Sequence, residues 1–185
     1  AKNWTRFLLA PTTCLWTQCY ARQACTVQNV ECLGLPPAKE PLLIRVLFLG
    51  DIVGGAARHE VIEQVPALRK VHALDFLVAN CENAAGGFGV TPKICDALFD
   101  AGVDVLTTGN HVWDKPEIIP YIETQPRLLR PLNMPEATPG DGVVTHTNEA
   151  GKRLTVVNVM TNLFMAANDP VFAALDGALV RHKLG

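Results

Sequence analysis

The sequence predicts an α/β fold built on a parallel β-sheet, and three observations carry that prediction. Apolar runs of strand length recur along the chain, the segments between them place apolar residues at helical spacing, and each run ends in glycines and polar side chains. Consecutive parallel strands need a crossover, which a helix supplies, and ligands of such sheets bind outside the carboxyl ends of the strands.

The first run, residues 44–50 (IRVLFLG), leads into Gly50-Asp51-Ile52-Val53-Gly54-Gly55, a carboxylate among glycines at a strand end. Residues 56–72 then place Val61, Ile62, Val65, Leu68 and Val71 on one helical face, with Arg58, Glu60, Glu63, Arg69 and Lys70 mostly elsewhere. Pro66 lies inside this span and is expected to kink the helix or to start its second half. The second run, 74–79 (LDFLVA), continues into Asn80-Cys81-Glu82-Asn83 and a Gly-rich stretch. Thr91-Pro92 reads as an N-cap followed by proline at the first helical position; Ile94, Ala97, Leu98 and Ala101 form the stripe, and Gly102 stops the helix. The third run is 103–108 (VDVLTT), and both crossovers are expected to be right-handed. Farther on, 143–147 reads as one arm of a hairpin turning at 149–152.

The third strand delivers Gly109-Asn110-His111-Val112-Trp113-Asp114, the stretch richest in chemistry. The Asn110 amide oxygen can ligate a cation without adding negative charge, so an anionic phosphate can still approach. An imidazole titrates near neutrality, so His111 can protonate a leaving alkoxide. Asp51 is a candidate hard-metal ligand, and Glu82 with Asn83 is a second ligand pair. Any one of these is an ordinary loop signal; three clusters at three adjacent strand ends converge on one crevice.

The same motifs give the chain a specific resemblance. RVLFLGDIVG, NCENAAGGFGVTPKI and TTGNHVWDK, with LLRPLNMP around Asn133 and VVNVMTNLFM around Asn158, make residues from about 44 to about 172 similar to the YmdB-like branch of the calcineurin-like metallophosphoesterases. The general superfamily carries Asp-x-His on its first strand and Gly-Asp-x-x-Asp on its second. Here Val53 stands in place of that histidine and Glu82-Asn83 occupy the second position, as in the YmdB-like branch.

The resemblance implies a sandwich of mixed β-sheets flanked by helices, and a hydrolase acting on 2',3'-cyclic nucleotides, with 3',5'-cyclic nucleotides as a second class. It implies two divalent metal ions, iron or manganese, and attack on phosphorus by a metal-activated hydroxide. Asp51 would bind the first metal, Glu82 would bridge both, Asn83 would assist at the first and Asn110 would bind the second. His111 would donate the proton to the leaving oxygen, and Asn133 is a candidate substrate-binding residue. The family also draws histidine ligands from a later Gly-x-His-x-His motif, which is not in this sequence. After His111 there are only His146, in the hairpin arm, and His182, in a charged segment that reads as a solvated helix end. The expectation is therefore the N-terminal portion of the domain, over 44–185, with the remaining ligands absent. The alternative function is an inactive fragment, and uncovered apolar surface predicts self-association into a homo-oligomer.

Residues 1–43 align with nothing in that family. They hold Cys14, Cys19, Cys25 and Cys32, but no Cys-x-x-Cys pair, which speaks against a structural zinc. Disulfides fit poorly with cytosolic relatives, and the Phe7-Leu8-Leu9-Ala10 core is too short for a secretory signal. The segment reads as an extension joined through Pro36-Pro37-Ala38-Lys39-Glu40-Pro41, the expected domain boundary.

Composition sets the remaining bounds. With 185 residues, 49% hydrophobic and 18% charged, the chain can bury the core of one α/β domain, and its net charge of -2 gives no basic nucleic-acid-binding signal. No apolar run is long enough to span a bilayer, so a cytoplasmic location is expected. Cys81 and Cys95 read as packing residues. Trp113 reads either as a stacking surface for a nucleobase or as a wedge that fixes the His111 loop, and Gly86-Gly87-Phe88-Gly89 as a turn shaping the site.

Overall fold

Three βα units generate the first sheet. Strands β1 (Val46–Asp51), β2 (Phe76–Asn80), β3 (Val105–Thr107) and β4 (Leu128–Leu129) lie side by side in that order, all parallel. Helices α1 (Gly54–His72), α2 (Pro92–Asp100) and α3 (Ile118–Thr124) make the connections. The structure is a computed structural model and describes residues 43–163, 165 and 168–182. The expectations for the cysteine-rich extension and its proline-rich boundary lie outside the described residues.

One face of the sheet is dry. Leu77, Ala79, Leu106 and Leu128 point to the helical side and are fully buried together with Val65 of α1, Cys95 and Leu98 of α2, and Ile118 and Ile122 of α3. Fully burying such side chains contributes roughly 1.5–3 kcal/mol each relative to leaving them in water. The other face is covered by a hairpin of β5 (Val143–Thr147) and β6 (Arg153–Val157), antiparallel with Val143 opposite Val157. Val78, Val105 and Leu129 pack there against Val144, Leu154 and Val156. The expected two-sheet sandwich flanked by helices is thus present, one sheet parallel and the other antiparallel among the described residues. Helix α4 (Val171–Arg181) follows, with His182 as its C-cap residue, the predicted helix end.

Local chemistry explains where the elements begin and stop. The Thr91 hydroxyl accepts from the Ile94 N–H at 3.3 Å, with Pro92 opening α2. Gly102, at φ +106°, turns the chain out of that helix while its N–H reaches the Phe99 carbonyl. Helix α1 is continuous from Gly54 to His72 with Pro66 inside it. One expectation for α1 needs correction. Val71, placed by its spacing on the apolar face, is 75% exposed, one residue from the end of the helix. Among the described residues, no helix is long and apolar enough to cross a membrane.

Candidate active site

Backbone ties between adjacent strand ends build the floor of the crevice. Ile52 N–H donates to the Asn80 carbonyl at 3.0 Å, Gly54 N–H to the Asn83 carbonyl at 3.0 Å, and Cys81 N–H to the Thr107 carbonyl at 2.9 Å. The β1–β2 register shifts between Leu49 and Asp51, an irregularity that re-aims Asp51 as the strand ends.

Side chains at the strand ends then form two linked groups. Asn83 Nδ2 donates to Asp51 Oδ2 at 2.7 Å. Next along the chain, the Glu82 carboxylate lies directly over Gly109: a Cβ at that position would overlap its oxygens, so only glycine allows the approach. Glu82 Oε2 also accepts from the His111 N–H at 3.4 Å, and Asn80 Oδ1 accepts from the Glu82 N–H at 3.2 Å. Asp51 and Asn110 are exposed to the crevice side, while Glu82, Asn83 and His111 are half-buried.

His111 is held from two sides. Its Nδ1 lies 2.7 Å from Asp114 Oδ2. A carboxylate only accepts, so the proton belongs on Nδ1 and Nε2 is left as the nitrogen free to act. The Phe88 ring meets the imidazole edge to face, with centroids 5.1 Å apart and planes at 71°. Neither Asp114 nor Phe88 was identified from sequence as a partner of His111. The signals were the i,i+3 spacing within GNHVWD and an aromatic residue among glycines.

The donor set is short but suited to a hard cation. Asn83 Oδ1 is buried without a hydrogen-bond partner, and an unsatisfied buried acceptor costs about 1–3 kcal/mol. It sits on the same amide that touches Asp51, in a set of two carboxylates and two amides that matches oxygen ligation of a divalent ion. Among the described residues, no three His, Cys, Asp or Glu side chains gather in a metal-binding group.

Other sequence candidates make contacts of their own. Asn133 is 1% exposed; its Nδ2 donates to the Met160 and Asp169 carbonyls at 2.7 and 3.0 Å and its Oδ1 accepts from the Met160 N–H at 3.0 Å. The side chain is occupied as a loop staple. His146 packs on Phe76 and lies 3.7 Å from Asp104, on the hairpin. Cys81 and Cys95 are fully buried free thiols, as expected of packing residues. The Cys81 thiol is held well above the ordinary range by its hydrogen bond with Cys95, by burial, and by the Glu82 and Asp51 charges. Trp113 is half-buried against the helical core, which matches the wedge reading.

This arrangement has known relatives. The chain is 44% identical over 133 residues to the 2',3'-cyclic-nucleotide 2'-phosphodiesterase of Bacillus subtilis (strain 168), a match covering 72% of this chain and 50% of that protein. A crystal structure of a hypothetical protein from Thermus thermophilus superposes with a TM-score of 0.70 at 38% identity, over 76% of this chain and 54% of that one. A phosphatase from Mycoplasma pneumoniae shares the fold, with a TM-score of 0.68 at 24% identity over 76% and 52% of the two chains. This chain therefore spans about half the length of the relatives it matches. A family model described as YmdB-like protein matches residues 47–184, and the chain belongs to that family.

Proposed function

We propose that this chain carries the N-terminal part of a metal-dependent phosphodiesterase site for 2',3'-cyclic nucleotides, with 3',5'-cyclic nucleotides as the second class. The observation that carries the reading is two linked groups at adjacent strand ends, Asp51 with Asn83 and Glu82 with His111 and Asp114. The name of the Bacillus subtilis relative supports the substrate class.

Asp51, Glu82, Asn83 and Asn110 would hold two divalent cations, of which iron and manganese are the candidates, with Glu82 shared between them. When bound, such a pair activates water and offsets the phosphoryl charge. The remaining work falls to this chain's own groups. Asp114 orients His111, and His111 Nε2 delivers a proton to the ribose oxygen as its bond to phosphorus breaks. A cytoplasmic location belongs to the same proposal.

A second reading, a catalytically inactive chain, is favoured by the short donor set, in which no three His, Cys, Asp or Glu side chains gather among the described residues. One experiment separates the two. The purified chain, supplied with manganese or ferrous iron, is expected to hydrolyse 2',3'-cyclic AMP, and His111→Ala to slow turnover by roughly 10²- to 10⁴-fold with metal content unchanged. Glu82→Gln is expected to lose both metals together. Near-zero metal stoichiometry of the wild-type chain by elemental analysis would establish the inactive reading.

A further inference from the structure

Phe88 is placed at cost beside the proton donor. The loop that carries it uses left-handed backbone at Gly86, Gly87 and Gly89, with φ of +79°, +102° and +77°, and Phe88 is the one side chain larger than hydrogen among residues 86–89. The loop is pinned in place. Gly87 N–H donates to the Asn83 carbonyl at 3.0 Å, Ala85 N–H to the Gly89 carbonyl at 2.9 Å, and Arg58 Nη1 to the Ala84 carbonyl at 2.6 Å. Gly89 packs so closely on the His111 segment that a Cβ there would lie 2.9 Å from Lys115 Cγ and 3.1 Å from Asp114 Cβ. Within this fixed frame the Phe88 ring is 59% exposed, although its neighbour Val90 is fully buried. A benzyl group has no polar tip to gain from water, so the exposed ring surface next to His111 calls for an apolar, flat partner.

Three aromatic residues of the helical side are already engaged, and Phe48 of β1, though exposed, makes no contact with His111 like that of Phe88. Trp113 packs on the helical core, the Tyr121 hydroxyl donates to Asp96 at 2.6 Å, and Phe99 lies under the Arg127 guanidinium at 4.0 Å. A nucleotide whose ribose oxygen takes a proton from His111 carries its base one sugar away, and the Phe88 ring stands 5.1 Å from the imidazole, within that reach.

We propose that Phe88 is the platform on which the nucleobase of the substrate packs, making it a specificity-determining residue of the site; this rests on the cyclic-nucleotide reading above. Stacking requires only a π-face, so purines are expected to bind better than pyrimidines, with no hydrogen-bond readout of the base.

The test is calorimetric titration of the full chain, with manganese supplied, using adenosine 3'-monophosphate and ribose 3-phosphate. The nucleotide is expected to bind roughly tenfold more tightly than the sugar phosphate. Phe88→Ala is expected to erase that advantage and leave the sugar phosphate unaffected, whereas Phe88→Trp keeps it. Unchanged nucleotide affinity in Phe88→Ala would overturn the proposal, as would equal weakening of both ligands, which marks a role only in holding His111. Turnover of bis(4-nitrophenyl) phosphate by the wild-type chain is measured in parallel. Its absence counts against the phosphodiesterase reading, while its presence with no base-dependent binding counts against Phe88 alone.

Discussion

The two faces of the parallel sheet are covered by different physics. On the helical face, Leu77, Ala79, Leu106 and Leu128 disappear under three helices whose own apolar stripes meet them. On the hairpin face, Val78, Val105 and Leu129 are covered by half-buried residues, while Val46 and Phe48 of β1 stay 44% and 61% exposed. What holds the hairpin is a set of point contacts at its two ends. At the turn end, Lys152 Nζ meets Asp75 Oδ1 at 2.7 Å and the Leu43 carbonyl at 3.0 Å. At the end nearer the site, Asn158 Nδ2 donates to the Thr108 carbonyl at 2.8 Å and the Leu129 carbonyl at 3.2 Å. The helical face is thus secured by area, and the hairpin face by a smaller apolar cluster and a few polar bolts, one of them on the residue just before Gly109.

Core truncations give the sharpest test of that contrast. Leu106→Ala should cost about 2–5 kcal/mol in chemical denaturation, because the close-packed helical face cannot collapse onto the gap. Val105→Ala, one residue along and on the other face, should cost only about 1–2 kcal/mol, at roughly 0.8 kcal/mol per buried carbon removed. Equal losses would break the distinction. The next effect is expected at the bolt. Asn158→Ala removes donors to two carbonyls and should cost about 1–3 kcal/mol, while speeding amide hydrogen exchange at Thr108 and Leu129; unchanged exchange would show that the hairpin is held by area after all.

The turn-end bolt is expected to be acid-sensitive. The Lys152 ammonium, aided by the Arg45 N–H, holds the Asp75 carboxyl below its ordinary value of 3.8. A group with a depressed folded pKa binds fewer protons when folded. Its stabilisation is therefore present above pH 3.8 and is lost as pH falls through the lower folded value. Lys152→Met should flatten this part of the dependence when urea midpoints at pH 5 and pH 3 are compared; an unchanged slope would remove Asp75 from the account. The smallest folding effect belongs to Phe48. Phe48→Lys should shift stability by no more than about 0.5 kcal/mol. It should also lower the sedimenting mass if the bare part of β1 drives the self-association expected from the sequence, and an unaltered mass would place that association elsewhere.

Much of the helical half was legible because its signals are local. Apolar runs ending in Asp51, Asn80 to Asn83, and Thr107 to His111 announced three strands, and Thr91-Pro92 with Gly102 bounded α2. Helix α3 and strand β4 escaped because they are short: Pro120 interrupts the one, and two residues, Leu128 and Leu129, cannot display an alternation. In the site, the donors were legible as residue types at strand ends, whereas their connections were not. Asn133, a candidate for substrate contact, donates to the Met160 and Asp169 carbonyls, 27 and 36 residues away and invisible to any motif. Phe88 meets the His111 ring, while Trp113, two positions from His111, packs on the core.

By itself the sequence determined the first three strands and the two helices between them, the clustering of Asp51, Glu82, Asn83, Asn110 and His111 at strand ends, and membership of the YmdB-like family. These depend on periodicity and on neighbours within a few residues, which a chain carries in its own order. Only the tertiary structure decided that Glu82 lies over Gly109, that Asp114 aims the imidazole, and that Phe88 stands exposed beside it. Each of these is a meeting across a turn or between strands, and side-chain packing, not sequence spacing, selects it.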